Sequence, residues 1–495
     1  MEAAEAAAAD AVARAGIDPV ALARSGRVLV AGAGVSGAGI AAMLADLGAA
    51  DVIVVDDAAD RAAAVAARCG GATASVAEAM DLLPGAAIVL TSPGWSPDSP
   101  LLAAAADAGV PVLGEVALAR AADAAGTWGA PRTWLVVTGT NGKTTTTAML
   151  AAMLRDRGRA VGNIGVALHD ALTAEPRVEV LAAELSSFQL HWAPGVAPEA
   201  GALLNLAEDH IDWHGSFDSY ATDKAIALTG GIAVYGADDA EVLRRLEALR
   251  ATGGLAPRAV AFTAGEPAAG EVGVRDGRIV DRAFGEDGSP APEGSAGVDV
   301  APVAGISPPG PAGVLDALAA TALARSVGVP VGDIAAALAA FTVSPHRGQV
   351  VHSAGGVDWI DDSKATNPHA ADAALRGHDG IVWVAGGQLK GADVTGLIDD
   401  HGDRMRAAVL VGCDAPLIAE ALASRVPGVP VTVIEDTDPA AAMGAAVDAA
   451  ARAARPGDVV LLAPAAASLD MFTGMAQRGD MFAAAARALA AEERA

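Results

Sequence analysis

At 495 residues the chain is long enough for two to four domains, each able to bury its own core. Its 33 basic and 60 acidic residues give a formal charge of -27, which opposes a broad grip on nucleic acid or an anionic membrane, so anionic ligands require locally positive sites. Two distant cysteines, Cys69 and Cys413, make neither a disulfide framework nor a zinc cluster, a pattern that fits a reducing cytoplasm.

The mean hydropathy of +0.38 comes from Ala, Val and Gly, and no charge-poor run of about 18 strongly apolar residues predicts a membrane span. The start, MEAAEAAAAD, is acidic and lacks the basic region of an export signal. Strand-like runs then alternate with Ala-rich helical stretches: RVLVA at 27–31, DVIVVDD at 51–57, AAIVLTSPG at 86–94 and TWLVVTG at 133–139. The rhythm resumes with VEVLAAELS, GALLNLAEDH and IAVYGADD, and again with GIVWVAGG, AAVLVG, VPVTVIED and DVVLLAPA. This is the βαβ alternation of parallel sheets, and it predicts an α/β protein of three units with mostly parallel sheets. Breaks at the Gly/Pro/Trp segment 126–131 and near 342–347 divide the chain into 1–127, 128–343 and 344–495. Residues 252–312, rich in Gly, Pro and acidic side chains, read as a loop-rich excursion with brief strand-like pieces such as GRIVDRAF.

After the first strand comes Gly32-Ala33-Gly34-Val35-Ser36-Gly37, with Asp56 at the end of the next strand. This GxGxxG permits close backbone approach to a diphosphate at a helix N-terminus. It leaves NAD(P), another diphosphate nucleotide and a purely structural turn all open. The segment Gly139-Thr140-Asn141-Gly142-Lys143-Thr144 follows a strand and opens a helix, so its amides can cradle ATP phosphates, with Lys143 as a point charge and Thr144 as a magnesium ligand. Val137 stands where the strict phosphate-loop pattern has glycine. Only four of the 33 basic residues are lysines, Lys143, Lys224, Lys364 and Lys390, and each sits in or beside a motif. A chain that otherwise uses arginine keeps lysine where a compact charge, or an amine able to lose its proton, is needed.

The run GTNGKTTT, Asn163-Ile164-Gly165, ELSSFQL and NLAEDHIDWHGS followed by Lys224 resembles the Mur ligase family in order and spacing. TSPG at 91–94, GEVAL from Gly114, PHR at 345–347, DDSKATN at 361–367 and ASLDMF at 467–472 resemble its D-glutamate-adding branch, across nearly the whole chain. The resemblance implies a Rossmann-like N-terminal domain, a P-loop ATPase-like central domain and a Rossmann-like C-terminal domain. The implied reaction, placed in peptidoglycan synthesis, activates a carboxylate of UDP-N-acetylmuramoyl-L-alanine with ATP as an acyl phosphate, which the amine of D-glutamate then attacks. By the same resemblance, Gly139 to Lys143 with Thr144, Thr145, Thr146, Arg347 and Asp362 bind ATP. Two magnesium ions are implied, held by Thr144, Glu184, His210 and a CO2-derived carbamate on Lys224. Glu184 and His210 are each expected to end a strand. Val35, Ser36, Asp56, Gly94 and Asn163 hold the UDP end, which displaces NAD(P). Lys364, Thr366, Lys390, Ser468 and the Leu469 backbone receive D-glutamate. The enzyme is expected to be a cytoplasmic monomer without nucleic-acid partners. A sister ligase adding another amino acid stays as the alternative, although no DNPR-like motif appears, and an NAD(P)-dependent dehydrogenase stays as the alternative from another class. Ala312, Gly313 and Asp316 depart from the family's His-Asn and Asn pattern, so an altered grip on adenine is expected.

Overall fold

The computed structural model describes residues 16–343, 345–376 and 378–492. The acidic start MEAAEAAAAD and Ser344, at the expected opening of the third domain, lie outside the described residues. Three sheets carry the chain, and among the described residues no helix is long and apolar enough to cross a membrane.

The first sheet is made of β1 (Arg27–Ala31), β2 (Val52–Val55), β3 (Ala72–Ala74), β4 (Ala86–Thr91) and β5 (Val112–Gly114), all parallel in the order β3-β2-β1-β4-β5. Every residue of β2 is buried, as expected of a strand covered on both faces. Helix α1 (Val35–Leu47) follows β1 and α2 (Glu115–Ala124) follows β5. Chain direction across the sheet reverses between β1 and β4, which opens a crevice at their carboxyl ends.

The second sheet has nine strands: β6 (Thr133–Thr138), β7 (Gly158–Gly162), β8 (Val180–Glu184), β9 (Ala200–Leu203), β10 (Ile232–Gly236), β11 (Arg258–Phe262), β12 (Glu271–Arg275), β13 (Arg278–Asp281) and β14 (Val298–Pro302). Their order is β14-β13-β12-β11-β10-β9-β6-β8-β7. Helices α3 (Lys143–Leu154), α4 (Leu168–Thr173), α5 (Ser187–His191), α6 (Ile211–His214) and α7 (Phe217–Ala225) lie along the connections of its parallel part. Here the expectation for 252–312 is corrected. That stretch supplies β11 to β14, with β12, β13 and β14 antiparallel, and so lengthens the sheet. Its hairpin turns on Asp276 and Gly277, both at positive φ (51° and 70°), as a tight two-residue Asp-Gly turn requires.

The third sheet holds β15 (Gln349–Ala354), β16 (Val357–Asp361), β17 (Ile381–Gly386), β18 (Met405–Val411), β19 (Val431–Val433) and β20 (Val459–Leu462), in the order β15-β16-β20-β17-β18-β19. Only β15 runs antiparallel to its neighbour. Trp383 is fully buried, and its indole N–H donates to the Ala463 carbonyl at 2.7 Å, which satisfies the one polar atom of a large apolar anchor. The final helix, α8 (Met475–Glu492), closes the chain. By contacts the molecule divides into two compact units. One runs to Val303 and takes in Leu315–Ala339, with the first two sheets; the other comprises Ala304–Val314 and the chain from Ala340, with the third sheet.

Candidate functional site

At the first sheet's crevice, Gly32 has φ +94°, and a Cβ on Gly37 would lie 1.9 Å from the Gly32 carbonyl, so the loop and helix approach too closely for any side chain there. Helix α1 begins without a side-chain cap, which leaves its N-terminal end suited to an anion. Val35 on its first turn is 77% exposed, and Gly94 is exposed after β4. Asp56 immediately follows β2. Its carboxylate accepts from the Ala33 N–H at 2.9 Å and the Ala58 N–H at 2.9 Å and pairs with Arg61 at 2.8 Å. Burial alone would raise its pKa, but these hydrogen bonds outweigh that and hold it below the usual range. Asp56 therefore shapes its own loop. A cavity of about 360 Å³ opens here, lined by Gly34, Val35, Arg68, Ala167 and Asp170 among others, so the first two sheets' connections share its wall.

In the second sheet, β9, β6 and β8 are neighbours, and the connections leaving their carboxyl ends meet. The phosphate-type loop leaves β6, with Gly139 at φ +156° and Gly142 at φ +81°. Asn205, just beyond β9, braces it: its carbonyl takes the Thr140 N–H at 3.0 Å, its Oδ1 the Asn141 N–H at 2.8 Å, and its Nδ2 reaches the Asn141 carbonyl. Lys143 Nζ donates to the carbonyls of Gly139 (2.9 Å) and Thr140 (2.8 Å). Lys224, on α7, donates to the same Gly139 carbonyl at 2.7 Å and stands over the Tyr220 ring at 4.9 Å. Only 2% exposed, Lys224 has its pKa held well below the ordinary lysine range, first by burial and then by the Lys143 charge. Thr144, Thr145 and Thr146 continue the first turn of α3.

Glu184 ends β8 as expected and is 2% exposed. Its Oε1 accepts from Asn163 Nδ2 at 2.9 Å, while Oε2 is buried without a hydrogen-bond partner. A buried carboxylate oxygen left unpaired is costly, so such an oxygen suits an incoming cation. His210 departs from its expectation. Strand β9 stops at Leu203, and His210 lies beyond an irregular run, in the left-handed conformation (φ 53°), as the cap of α6. Leu204 still bonds to Thr138 at the end of β6, and the run beyond it leaves the sheet because Asn205 and Ala207 bond to the phosphate loop and Leu206 to Asp239 in place of a strand partner. The His210 ring packs on Phe188 with centroids 4.7 Å apart. Burial lowers its pKa, with Asp209 opposing and Lys224 assisting, which favours the neutral imidazole. Among the described residues no three His, Cys, Asp or Glu side chains gather as a metal cluster.

The departures at 312–316 acquire physical reasons. Ala312 is exposed, and a Cβ on Gly313 would strike the Pro308 carbonyl at 1.9 Å, so no larger residue fits there. Asp316 accepts from Thr146 Oγ1 at 3.0 Å and lies 2.2 Å from where a Cβ on Gly142 would stand, which sets its carboxylate against the phosphate loop.

In the other compact unit, the connections after β16, β20 and β17, three neighbouring strands, carry Asp362, Lys364 and Thr366, then Ser468 and Leu469, then Lys390. Burial raises the Asp362 carboxyl to about 7, against the pull of the Arg347 charge. Ser468 is buried, whereas Lys364 and Lys390 are exposed and Leu469 is 66% exposed. Lys390 has positive φ (54°).

Several residues for which sequence reasoning assigned no role hold these sites together. Arg478, fully buried, donates to Ser363 Oγ (3.0 Å), the Ser363 carbonyl (2.9 Å), the Gly386 carbonyl (3.2 Å) and the Ala466 carbonyl (3.1 Å), and so ties the three loops together. Burial lowers its pKa to about 10. Asp223 accepts from His191 and His214, each at 3.0 Å, and His214 Nε2 meets Ser187 Oγ at 2.9 Å, locking α7 to α5. His214 stands inside the NLAEDHIDWHGS motif, so the motif was visible and its bonding to Asp223 was not.

Comparison with known proteins gives two family matches: the Mur ligase middle domain over residues 137–259 and the Mur ligase glutamate ligase domain over 346–466. The UDP-N-acetylmuramoylalanine–D-glutamate ligase of Corynebacterium efficiens is 53% identical, covering 93% of this chain and 94% of its own. That of Corynebacterium jeikeium is 54% identical, covering 95% of each. Among solved structures, the UDP-N-acetylmuramoylalanyl-D-glutamyl-2,6-diaminopimelate–D-alanyl-D-alanyl ligase of Acinetobacter baumannii matches with a TM-score of 0.54 at 16% identity, over 95% of this chain and 97% of that one, a likeness of fold.

Proposed function

The chain belongs to the Mur ligase family, and on that footing we propose that it joins D-glutamate to UDP-N-acetylmuramoyl-L-alanine at the expense of ATP, in peptidoglycan synthesis. A carboxylate does not condense with an amine at neutral pH without a leaving group. The substrate carboxylate attacks the γ-phosphorus of ATP, ADP leaves, and an acyl phosphate results; the neutral amine of D-glutamate then displaces phosphate to form the amide. The observation that carries this reading is the meeting of the phosphate loop with Lys143 and Lys224 at the Gly139 carbonyl, beside the end of β8, where the Glu184 charge acts on Lys224. Phosphate release from ATP with UDP-N-acetylmuramoyl-L-alanine, compared for D-glutamate, L-glutamate and L-lysine in bicarbonate, tests it. Release without preference for D-glutamate would sink the substrate assignment.

In this proposal Gly139, Thr140, Asn141, Gly142, Lys143, Thr144, Thr145 and Thr146 hold the triphosphate, with Lys143 supplying the point charge. Arg347 and Asp362 also serve ATP, and Lys364, Thr366, Lys390, Ser468 and the Leu469 backbone take the two carboxylates of D-glutamate. Val35, Ser36, Asp56, Gly94 and Asn163 meet the UDP end, Asp56 also shaping its loop and Asn163 also orienting Glu184. Magnesium suits Glu184, His210 and Thr144, since the unpaired Glu184 oxygen and a neutral imidazole are donors it accepts, and when bound it neutralises phosphate charge. Burial leaves the Lys224 amine neutral enough to react with CO2, giving a carbamate and releasing a proton, and that carbamate adds a further oxygen donor. Domains at 1–127, 128–343 and 344–495, a monomeric state and a cytoplasmic setting complete the proposal. The two free cysteines accord with the last.

A further inference from the structure

Glu115 opens α2 and is only 6% exposed, although nothing in the proposed chemistry uses it. Its carboxyl faces the Ser36 hydroxyl on α1 and the Leu168 backbone N–H at the start of α4. Its Oε1 has no hydrogen-bond partner and lies 2.6 Å from where a Cβ on Gly39 would stand, so the absence of a side chain at 39 is what admits it beside α1. Gly34, Val35 and Gly39, on that same turn and helix, together with Ala167 and Asp170, line the cavity of about 360 Å³. A buried carboxyl thus stands directly behind a serine at the mouth of a diphosphate-type site.

Among the described residues no cation is set against it to hold it ionised: Arg68 lines the neighbouring cavity, Arg24 donates to the Leu47 carbonyl and His191 is turned to Asp223. From α4, Asp170 opposes ionisation, and His169 is turned to Asp46 at 3.0 Å. On α2 itself, Arg120 is paired with Glu199 and Asp123 with Arg132. From α1 the facing group is the neutral Ser36. Burial accordingly raises the Glu115 carboxyl to about 7.

The two protonation states do opposite things to Ser36. An ionised carboxylate is acceptor-only, so the Ser36 O–H points back at it and presents lone pairs to an arriving phosphate. A protonated carboxyl donates to Ser36 Oγ, and the serine hydrogen turns outward to donate to a phosphate oxygen. We propose that Glu115 is a positioning residue for the UDP-bearing substrate, protonated in the bound state, so that substrate binding takes up one proton from solvent. The proposal rests on the reading that Val35 and Ser36 receive the substrate's UDP end.

Isothermal titration of the full-length protein with UDP-N-acetylmuramoyl-L-alanine, in buffers of differing ionisation enthalpy, tests it. The substrate's carboxyl and diphosphate stay ionised throughout the range from about pH 6 to 8.5. The expected result is uptake approaching ~1 proton at about pH 8.5 and ~0.1 at about pH 6, with affinity about 30-fold weaker at the higher pH. In E115Q the amide donates permanently to Ser36, so binding becomes flat with pH and no proton is taken up. In S36A, binding weakens at about pH 6 and the pH dependence shrinks, which keeps the test alive if E115Q folds poorly. Tight wild-type binding that is flat with pH, or proton uptake unchanged in E115Q, overturns the proposal alone. No binding at any pH overturns the substrate assignment beneath it and the proposal together.

Discussion

The four lysines divide between two environments. In the second sheet Lys224 is buried beneath the phosphate loop and shares a carbonyl with Lys143, whereas in the third sheet Lys364 and Lys390 are exposed on loops. The difference teaches what each position asks of an amine. Burial taxes the charged form, and a lysine made neutral becomes a nucleophile toward CO2; an amine in water carries no such penalty and serves as a cation for carboxylates. Under the proposed function, solvent access alone separates the two jobs of one residue type.

Replacing each kind of buried or exposed charge breaks or sharpens this contrast. The largest effect is expected for K224R, because a guanidinium cannot lose its proton: phosphate release at saturating substrates should fall by at least about 1000-fold with the fold retained by circular dichroism. Retained activity would mean that burial of Lys224 does not serve a carbamate. Next, R478A leaves four acceptors unsatisfied in a dry site, so denaturant unfolding of the protein should show a loss of about 3 kcal/mol, with a raised KM for D-glutamate.

E115Q offers a pH test of the same idea. Because the folded pKa of Glu115 lies above its ordinary 4.5, at about 7, its contribution is fully present below pH 4.5 and is lost as pH rises through 7. Stability of E115Q relative to wild type should therefore grow by about 2 kcal/mol between about pH 5 and 7, read from denaturation midpoints at the two values. A constant difference would mean that Glu115 ionises freely in the folded protein. The smallest effect belongs to the exposed side: K390R keeps its charge and should raise the KM for D-glutamate by only about tenfold, measured by initial rates with little change in kcat. If K390R were as damaging as K224R, exposure would not separate the two roles.

Much of this was legible in the chain. Residue scarcity singled out all four lysines, and the βαβ rhythm located Glu184 at a strand end, since both depend on local pattern. What escaped was set by contacts across the sequence. The burial of Lys224 is one case, since packing against Tyr220 and the phosphate loop, not its place in the helical stretch, buries it. Arg478 gathers three loops up to 115 residues away, a bond no local pattern displays. The strands within 252–312 were hidden by composition, although the Asp276-Gly277 pair already carried the hairpin's geometry. His210 looked like a strand end because NLAEDH continues an apolar run, yet bonding to the phosphate loop draws the chain off the sheet after Leu203.

The exposure of Lys364 and Lys390 also makes the molecule its own footprinting reagent. An acylating probe meets four side-chain amines in the whole chain, two of them in the open and one almost sealed. Peptide mass mapping after brief labelling, with and without D-glutamate, would then read protection of the proposed amino-acid site from two modified peptides, with Lys224 as an internal silent reference.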